Sequence, residues 1–509
     1  MISYLKKRPM MLSAVICTVV AVTSYKFEKA SLFICTLPIT VFFVMLLKRS
    51  SPKLIFAVFT AVLAALSIQI QYKQIDFAKL YADKSVTCDL TITSAPVNHG
   101  SFYSATAATR RSEYIKGGIK LSVLYNGAEL ESGDIISADF KPKTLGGSEY
   151  KSGNYAEGIY LTANLKNIVP TGKKKPLLST LNKMRKYITG SFFKNLSEDT
   201  AATLSALTIG DRSYMSDSFY GMVKLAGVSH VMVVSGMHLA IIMSFVVSSA
   251  EKLFYNRYIK AAIIVFTVVI MSALCGFTMS ILRAGITYLF FAVSVAIGRD
   301  RDSVNILGAA LTLILIFSPF AVFSVALQLS LLSTFGVLAL APAATEGILN
   351  AFKTENRFLS SLTSAVITPL SATLMTLPVT VYCYGYISTV SVITNLLIDY
   401  AVTVSLIFAF ISVLLFGLLP QLSRLTFFVA GITAKYINYV IVTMGSQPFA
   451  VLKMSKTAVI SSVVLIFGVL ELTLACKRRE DMLKSEMALE KIRNELEEKR
   501  KKGGRKQWL

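Results

Sequence analysis

GVSHVMVVSGMHLAIIMSFVV, residues Gly227–Val247, is apolar enough to enter a bilayer, yet it carries His230, His238 and, near its middle, the pair Ser235 and Gly236. Hydrocarbon offers no water to such groups, so they persist in a membrane segment only where another part of the protein or a hydrated path satisfies them. Ser235 and His238 are three apart and fall on one face of a helix. A nucleophilic Ser–His pair needs an orienting carboxylate and an oxyanion hole, and the stretch contains no acid. The residues favour Gly236 as a point of kinking or close helix approach. Ser235 and His238 then satisfy freed backbone groups or line a hydrated path.

Composition points the same way. The 509 residues are 54% hydrophobic and 16% charged, the proportions of a polytopic membrane protein and not of a soluble enzyme. The 52 Lys and Arg outnumber 29 Asp and Glu, and the formal charge of +23 suits cytoplasmic anchoring or an anionic partner. Cys17, Cys35, Cys275, Cys383 and Cys476 fall in or beside apolar segments and only Cys88 stands in a polar region, so no internal disulfide is implied. Three histidines without CxxC or HxxxH spacing imply no metal site. Neither a P-loop nor a GxGxxG motif occurs, so no nucleotide cofactor and no built-in motor are expected.

Outward from the opening stretch, apolar runs Pro9–Ser24, Ala30–Leu47 and Leu54–Ile70 precede it, with the basic turn Lys48–Lys53 between the last two. Positive-inside bias retains all three as membrane helices and delivers Tyr72 to the outer face. There Ser85–Thr93, Ser101–Ala107, Gly118–Tyr125 and Asp134–Phe140 are short β-type runs separated by turn signals, the pattern of a small barrel-like domain of OB type. Phe102, Tyr103, Arg110, Arg111, Tyr114 and Lys116 would supply a base-stacking, basic surface there, or belong to the core. Pro176–Leu196 reads as a basic amphipathic helix, lying on the outer membrane surface or docked on its own protein. A helix opening at Ser197 closes at Gly210–Asp211, and a short one covers Ser216–Ala226.

After Val247 come apolar spans Ala261–Gly276, Ile281–Gly298, Ser303–Phe317, Phe320–Leu340 and Phe358–Tyr382, a long stretch ending at Leu419, then Leu422–Met444 and Thr457–Ala475. Three spans before the β region and nine after it make twelve. Counting then puts both termini, Lys48–Lys53, Glu251–Lys260, Arg299–Asp302, Lys353 and Arg357 inside, in agreement with their charge. The expected architecture is a polytopic α-helical membrane protein of about twelve transmembrane helices, with a small extracytoplasmic OB-like β domain inserted after the third. Its divisions are 1–71, three N-terminal helices; 72–170, the β domain; 171–226, helices on the outer surface; 227–476, the channel-like membrane domain; and 477–509, a charged cytoplasmic helical tail.

Arg283 opens a span on the outer side, where it either snorkels to the interface or contacts phosphate. Gln328, Ser330, Pro378 and Asn395 mark polar or helix-breaking points in other spans, as broken helices around a central path would.

GDRS (Gly210–Ser213), Phe219 and AGVSHVMVVSGMHLA (Ala226–Ala240) resemble the signature of the ComEC-type competence family, inner-membrane channels for DNA uptake in natural transformation. Later landmarks keep the family's order: Gly276–Phe277 with Arg283–Gly285, Asp302–Asn305, Ser318–Pro319, Gln328–Ser330, Thr376–Pro378 and Tyr386–Leu397. Ser132–Pro142 and Tyr155–Ala163 are similar to the end of the family's OB-type domain. Together the matching positions run from about Lys53 to Leu474.

The resemblance implies inward passage of single-stranded DNA across the bacterial cytoplasmic membrane. Gly210, Asp211, Arg212, His230, Ser235, Gly236, His238, Arg283, Gln328, Ser330, Pro378 and Asn395 are its motif or channel-lining positions. Many family members continue into a metallo-β-lactamase-like domain with an HxHxDH motif, whereas no histidine follows His238 in this sequence. The expectation is therefore a non-enzyme without cofactor or metal. Membrane lipids, an outer DNA receptor, a separate nuclease and a cytoplasmic ATPase are its expected partners, and oligomerisation is left open. The alternatives are a secondary transporter of a small anionic solute and a membrane hydrolase using Ser235 and His238.

Overall fold

The computed structural model describes residues 8–26, 52–94, 96–98, 102–110, 118–127, 130–145, 153–172, 176–232, 234–298, 302–352, 356–455 and isolated positions between 458 and 468. The expected span Ala30–Leu47, most of Thr457–Ala475, the tail from Lys477, and Arg111, Tyr114, Lys116, Lys173–Lys175, Arg299–Arg301 and Lys353 lie outside the described residues. The chain divides into two compact units, Met1–Leu331 with Ser388–Leu452, and Leu332–Ile387 with Lys453–Leu509.

The first unit opens with α1 (Pro9–Lys26) and α2 (Pro52–Lys79), which lead into strands β1 (Val86–Ile92), β2 (Val97–Asn98), β3 (Tyr103–Thr109), β4 (Lys120–Tyr125), β5 (Ile135–Phe140), β6 (Lys143–Thr144) and β7 (Ile159–Gly172). Burial alternates along the strands, as a pleat with one inward face requires. Leu90, Ile92, Leu121, Val123, Ile136 and Leu161 fill the interior. Pairings β1–β3, β3–β4, β4–β7, β7–β5 and β5–β1 close five strands on themselves, and only β4–β7 is parallel. Closure leaves few exposed edges. Cys88 points into this core, where burial, and secondarily the Asp89 charge, push its thiol up to about 11 and leave it unreactive at neutral pH. The barrel meets the helices through Tyr155, whose ring lies 6.0 Å from Phe320, while Tyr72 lies 5.4 Å from Phe320 and donates to the Ser24 carbonyl.

The helices that follow are α3 (Pro176–Asn195), α4 (Glu198–Ile209), α5 (Asp217–Leu225), α6 (Gly236–Leu253), α7 (Arg257–Leu274), α8 (Met279–Ile297), α9 (Ser303–Phe317) and α10 (Val325–Phe335). Next come α11 (Ala341–Ala351) and α12 (Arg357–Tyr384) of the second unit, then α13 (Ser391–Phe416) and α14 (Pro420–Gly445). Among the described residues, eight helices are long and apolar enough to cross a membrane, and Pro9–Tyr25 and Ser303–Phe317 are shorter apolar helices. The protein is thus a polytopic helical membrane protein carrying a five-stranded barrel-like sheet.

Asp302 caps α9 by accepting from Val304 and Asn305 N–H, and it pairs with Arg8 at 2.7 Å. Asn305 Oδ1 accepts the Met10 N–H, and a Cβ on Gly308 would stand 2.5 Å from the Met11 backbone. Gly308 therefore lets α1 lie directly on α9. Gly308→Ala is expected to cost about 1–3 kcal/mol by overpacking, read as a lower unfolding temperature in detergent.

Two expectations change. The helix expected across Gly227–Val247 begins at Gly236, so Gly236 is its first residue and not an internal kink. The span expected to start at Phe320 starts at Val325, because Pro319–Phe323 is a 3-10 turn, and it runs to Asn350 through a π turn at Gly336–Leu340. α3 buries Ile188 and Phe192 against Phe427, so at those residues it docks on its own protein, one of the two placements its sequence allows, while Met184 and Tyr187 stay exposed. The turn after α13 lies near the barrel. The Tyr187 ring lies 6.1 Å from Phe416, and the neighbouring Lys186 and Asn182 bond Glu131 and Ser132 of the β4–β5 connection.

In the second unit, a Cβ on Gly336 would stand 2.7 Å from the Ser371 carbonyl, so the π turn sits against α12. Thr345, Glu346, Asn350, Ser360, Ser364 and Thr368 line a cleft of about 500 Å³ between α11 and α12.

Candidate functional site

Three of the sequence landmarks converge at the start of α6. Ser235 is its N-cap, in extended backbone, with Oγ accepting the Met237 N–H at 3.2 Å. His238, at the third helical position, reaches back so that Nδ1 accepts the Ser235 N–H at 3.2 Å and lies 3.1 Å from Ser235 Oγ. This is a capping box in which His replaces the usual Glu or Gln. Accepting that N–H assigns the proton of the neutral ring to Nε2. The side chain is fully buried, and Nε2 has no partner in hydrogen-bond geometry among the described residues, although the Val231 backbone faces the ring.

Gly236 carries no side chain because Arg283 occupies the place where one would go. A Cβ there would stand 2.5 Å from Arg283 Nη2 and 3.3 Å from the Ala284 Cβ. Arg283 is 5% exposed, and its Nε donates to Ser330 Oγ at 2.9 Å, which also accepts from Ser280 Oγ at 3.1 Å. No carboxylate pairs with Arg283 among the described residues. Gly285 completes the triplet by admitting α7, since its Cβ would stand 3.1 Å from Val268 Cγ1. A buried cation thus faces the N-terminus of α6, itself a positive dipole end. Both ends of the contact favour an anion, and a phosphate oxygen matches guanidinium donors and backbone N–H groups alike.

Residues 207–479, more than half of the chain, match the family described as Competence protein. The chain belongs to that family. It is also 24% identical over 336 residues to ComE operon protein 3 of Bacillus subtilis (strain 168), covering 66% of this chain and 42% of that protein. The chain therefore spans less than half the length of this curated relative. No solved structure matches it. The family's region contains the whole Ser235–Arg283–Ser330 constellation, and neither a transporter nor a hydrolase is favoured by membership in it.

The remaining landmarks divide by place. Gln328 Nε2 donates to the Val322 carbonyl and ties α10 to the preceding turn, so it supports the backbone. Asn395 is buried in α13 with Oδ1 lacking a partner among the described residues. Pro378 lies within α12, in the second unit. His230 is exposed in the turn before α6. Gly210 closes α4 with φ 76°, and Asp211 and Arg212 follow it in the loop. In the barrel, Tyr103 stacks on Tyr125 at 5.5 Å, which engages one face of its ring. Phe102 and Arg110 are exposed at opposite ends of β3, separated by about 26 Å at strand rise, so the structure does not gather them. Ser280 was missed from sequence; its only signal was its position one turn before Arg283.

A nucleophilic role for Ser235 lacks its third member. Among the described residues, no cluster of His, Cys, Asp or Glu surrounds the pair, and His238 Nε2 meets no carboxylate. Ser235→Ala is expected to cost about 1 kcal/mol through loss of the cap, read as a lower unfolding temperature in detergent.

Proposed function

We propose that the chain conducts single-stranded DNA inward across the cytoplasmic membrane during natural transformation. The observation that carries this is the buried, carboxylate-free Arg283 facing the α6 N-terminus, an anion-seeking point in a membrane domain of the Competence protein family. A strand of phosphates crossing hydrocarbon needs such donors, because each unsatisfied charge in the apolar region is costly. The name of the relative, ComE operon protein 3, supports the same setting.

In this reading the barrel is an OB-type domain on the outer face, and the Arg8–Asp302 end of the helices is cytoplasmic. The chain crosses about twelve times with both termini inside. An external DNA receptor, a nuclease and a cytoplasmic ATPase complete the pathway.

The test is deletion and complementation, scored for labelled single-stranded DNA recovered from the cytoplasm. Full single-strand import in the deletion strain would end the proposal.

A further inference from the structure

The loop holding Gly210, Asp211 and Arg212 folds back on α5 and builds a surface outside the Arg283 locus. The Asp211 carboxylate is engaged by the backbone N–H and hydroxyl of Ser213. Arg212 turns instead to α5, where Nη1 donates to the Tyr220 hydroxyl at 2.7 Å and the guanidinium carbon lies 5.3 Å from the ring centre. Lys224, one turn on, holds Nζ 4.6 Å from the same centre. Both cations are exposed, and among the described residues neither forms an ion pair. The nearest acid on that helix face is Asp217, about 10 Å from Lys224 along the axis.

Tyr214, in the same loop, packs against Phe193 at 4.8 Å and remains 54% exposed. One ring thus orients two cations without neutralising them, since an exposed cation–π contact leaves the charge and most donors available. A second ring, Tyr214, two residues from Arg212, is braced by Phe193 and stays exposed. Gly210 touches Val234, immediately before the α6 cap, so the surface adjoins the Arg283 locus.

We propose that Arg212, Lys224 and Tyr214 form a capture site for single-stranded nucleic acid, the cations taking phosphates and Tyr214 taking a base. The proposal rests on the DNA-conducting reading and assigns a place where the strand is held. Nucleic acid is favoured over a lipid headgroup because a stacking ring beside paired cations serves a base as well as a phosphate.

The experiment uses the full chain in nanodiscs of zwitterionic lipid and a fluorescent oligothymidylate, with anisotropy followed from about 50 to 200 mM salt. Wild-type binding should weaken with salt. Arg212→Gln with Lys224→Gln should lower the log-log slope by about 1.4, at 0.7 per phosphate contact, and Arg212→Lys with Lys224→Arg should keep it. Tyr214→Ala should weaken the oligonucleotide at least about 5-fold, and leave competition by inorganic tripolyphosphate unchanged. Wild-type affinity and slope in the double Gln variant would overturn the site while leaving conduction standing. Failure of wild type to bind would also overturn it, and the import assay on Arg283 variants would then judge conduction separately. Rescue of binding only by anionic lipid would assign the surface to the membrane and overturn the nucleic-acid site.

Discussion

Arg283→Gln is expected to reduce DNA import by about 30-fold or more while the protein folds at least as well as wild type. The first half follows if conduction brings a phosphate to this buried charge, whose removal then costs about 2–5 kcal/mol as in desolvated charge pairs, or roughly tenfold per 1.4 kcal/mol. The second half follows from what surrounds the guanidinium at rest. Arg283 is 5% exposed, bonds the neutral Ser330 and abuts a helix N-terminus, with no carboxylate pairing among the described residues. A cation so placed costs stability, so a neutral amide of similar reach should raise the unfolding temperature in detergent. Arg283→Lys is expected to keep charge but lose the Ser330 geometry, with intermediate import. A variant that unfolds would make Arg283 a structural residue, and full import would remove it from the path.

Gly236→Ala tests the same point from the other side. The added methyl would stand 2.5 Å from Arg283 Nη2, the free end of a flexible side chain, so the guanidinium moves and the backbone stays. Alanine at a first helical position is at least as good a helix former as glycine. Import should therefore fall about tenfold with the unfolding temperature unchanged, because displacing a positioning group by about 1 Å is costly to function. Combined with Arg283→Gln, Gly236→Ala should add little, as coupled residues do in a double-mutant cycle. Additive losses would show that Gly236 serves helix packing alone.

Local chemistry explains what was legible in advance. Apolar run lengths and basic loops announced a polytopic protein because hydrocarbon thickness and leaflet charge act on a segment by itself. Alternating Val, Ile and Thr between turn residues announced the barrel, since a pleat imposes a period of two. The ordered landmarks announced the family, which the match over residues 207–479 establishes. The helix boundaries were less legible. Gly227–Met232 is as apolar as a span yet remains irregular, with Val228, Val231 and Met232 buried by neighbours that composition cannot name.

The sequence alone determined that Ser235, Gly236 and His238 form a unit, since a cap and its third residue are set by local spacing. It did not determine what Gly236 is for. That depended on Arg283, forty-seven positions away, and on Ser330, a further forty-seven beyond it. Only tertiary packing sets such distances, because α6, α8 and α10 must be laid side by side before a guanidinium has a helix terminus to face. The same packing converted an expected kink into an expected anion contact.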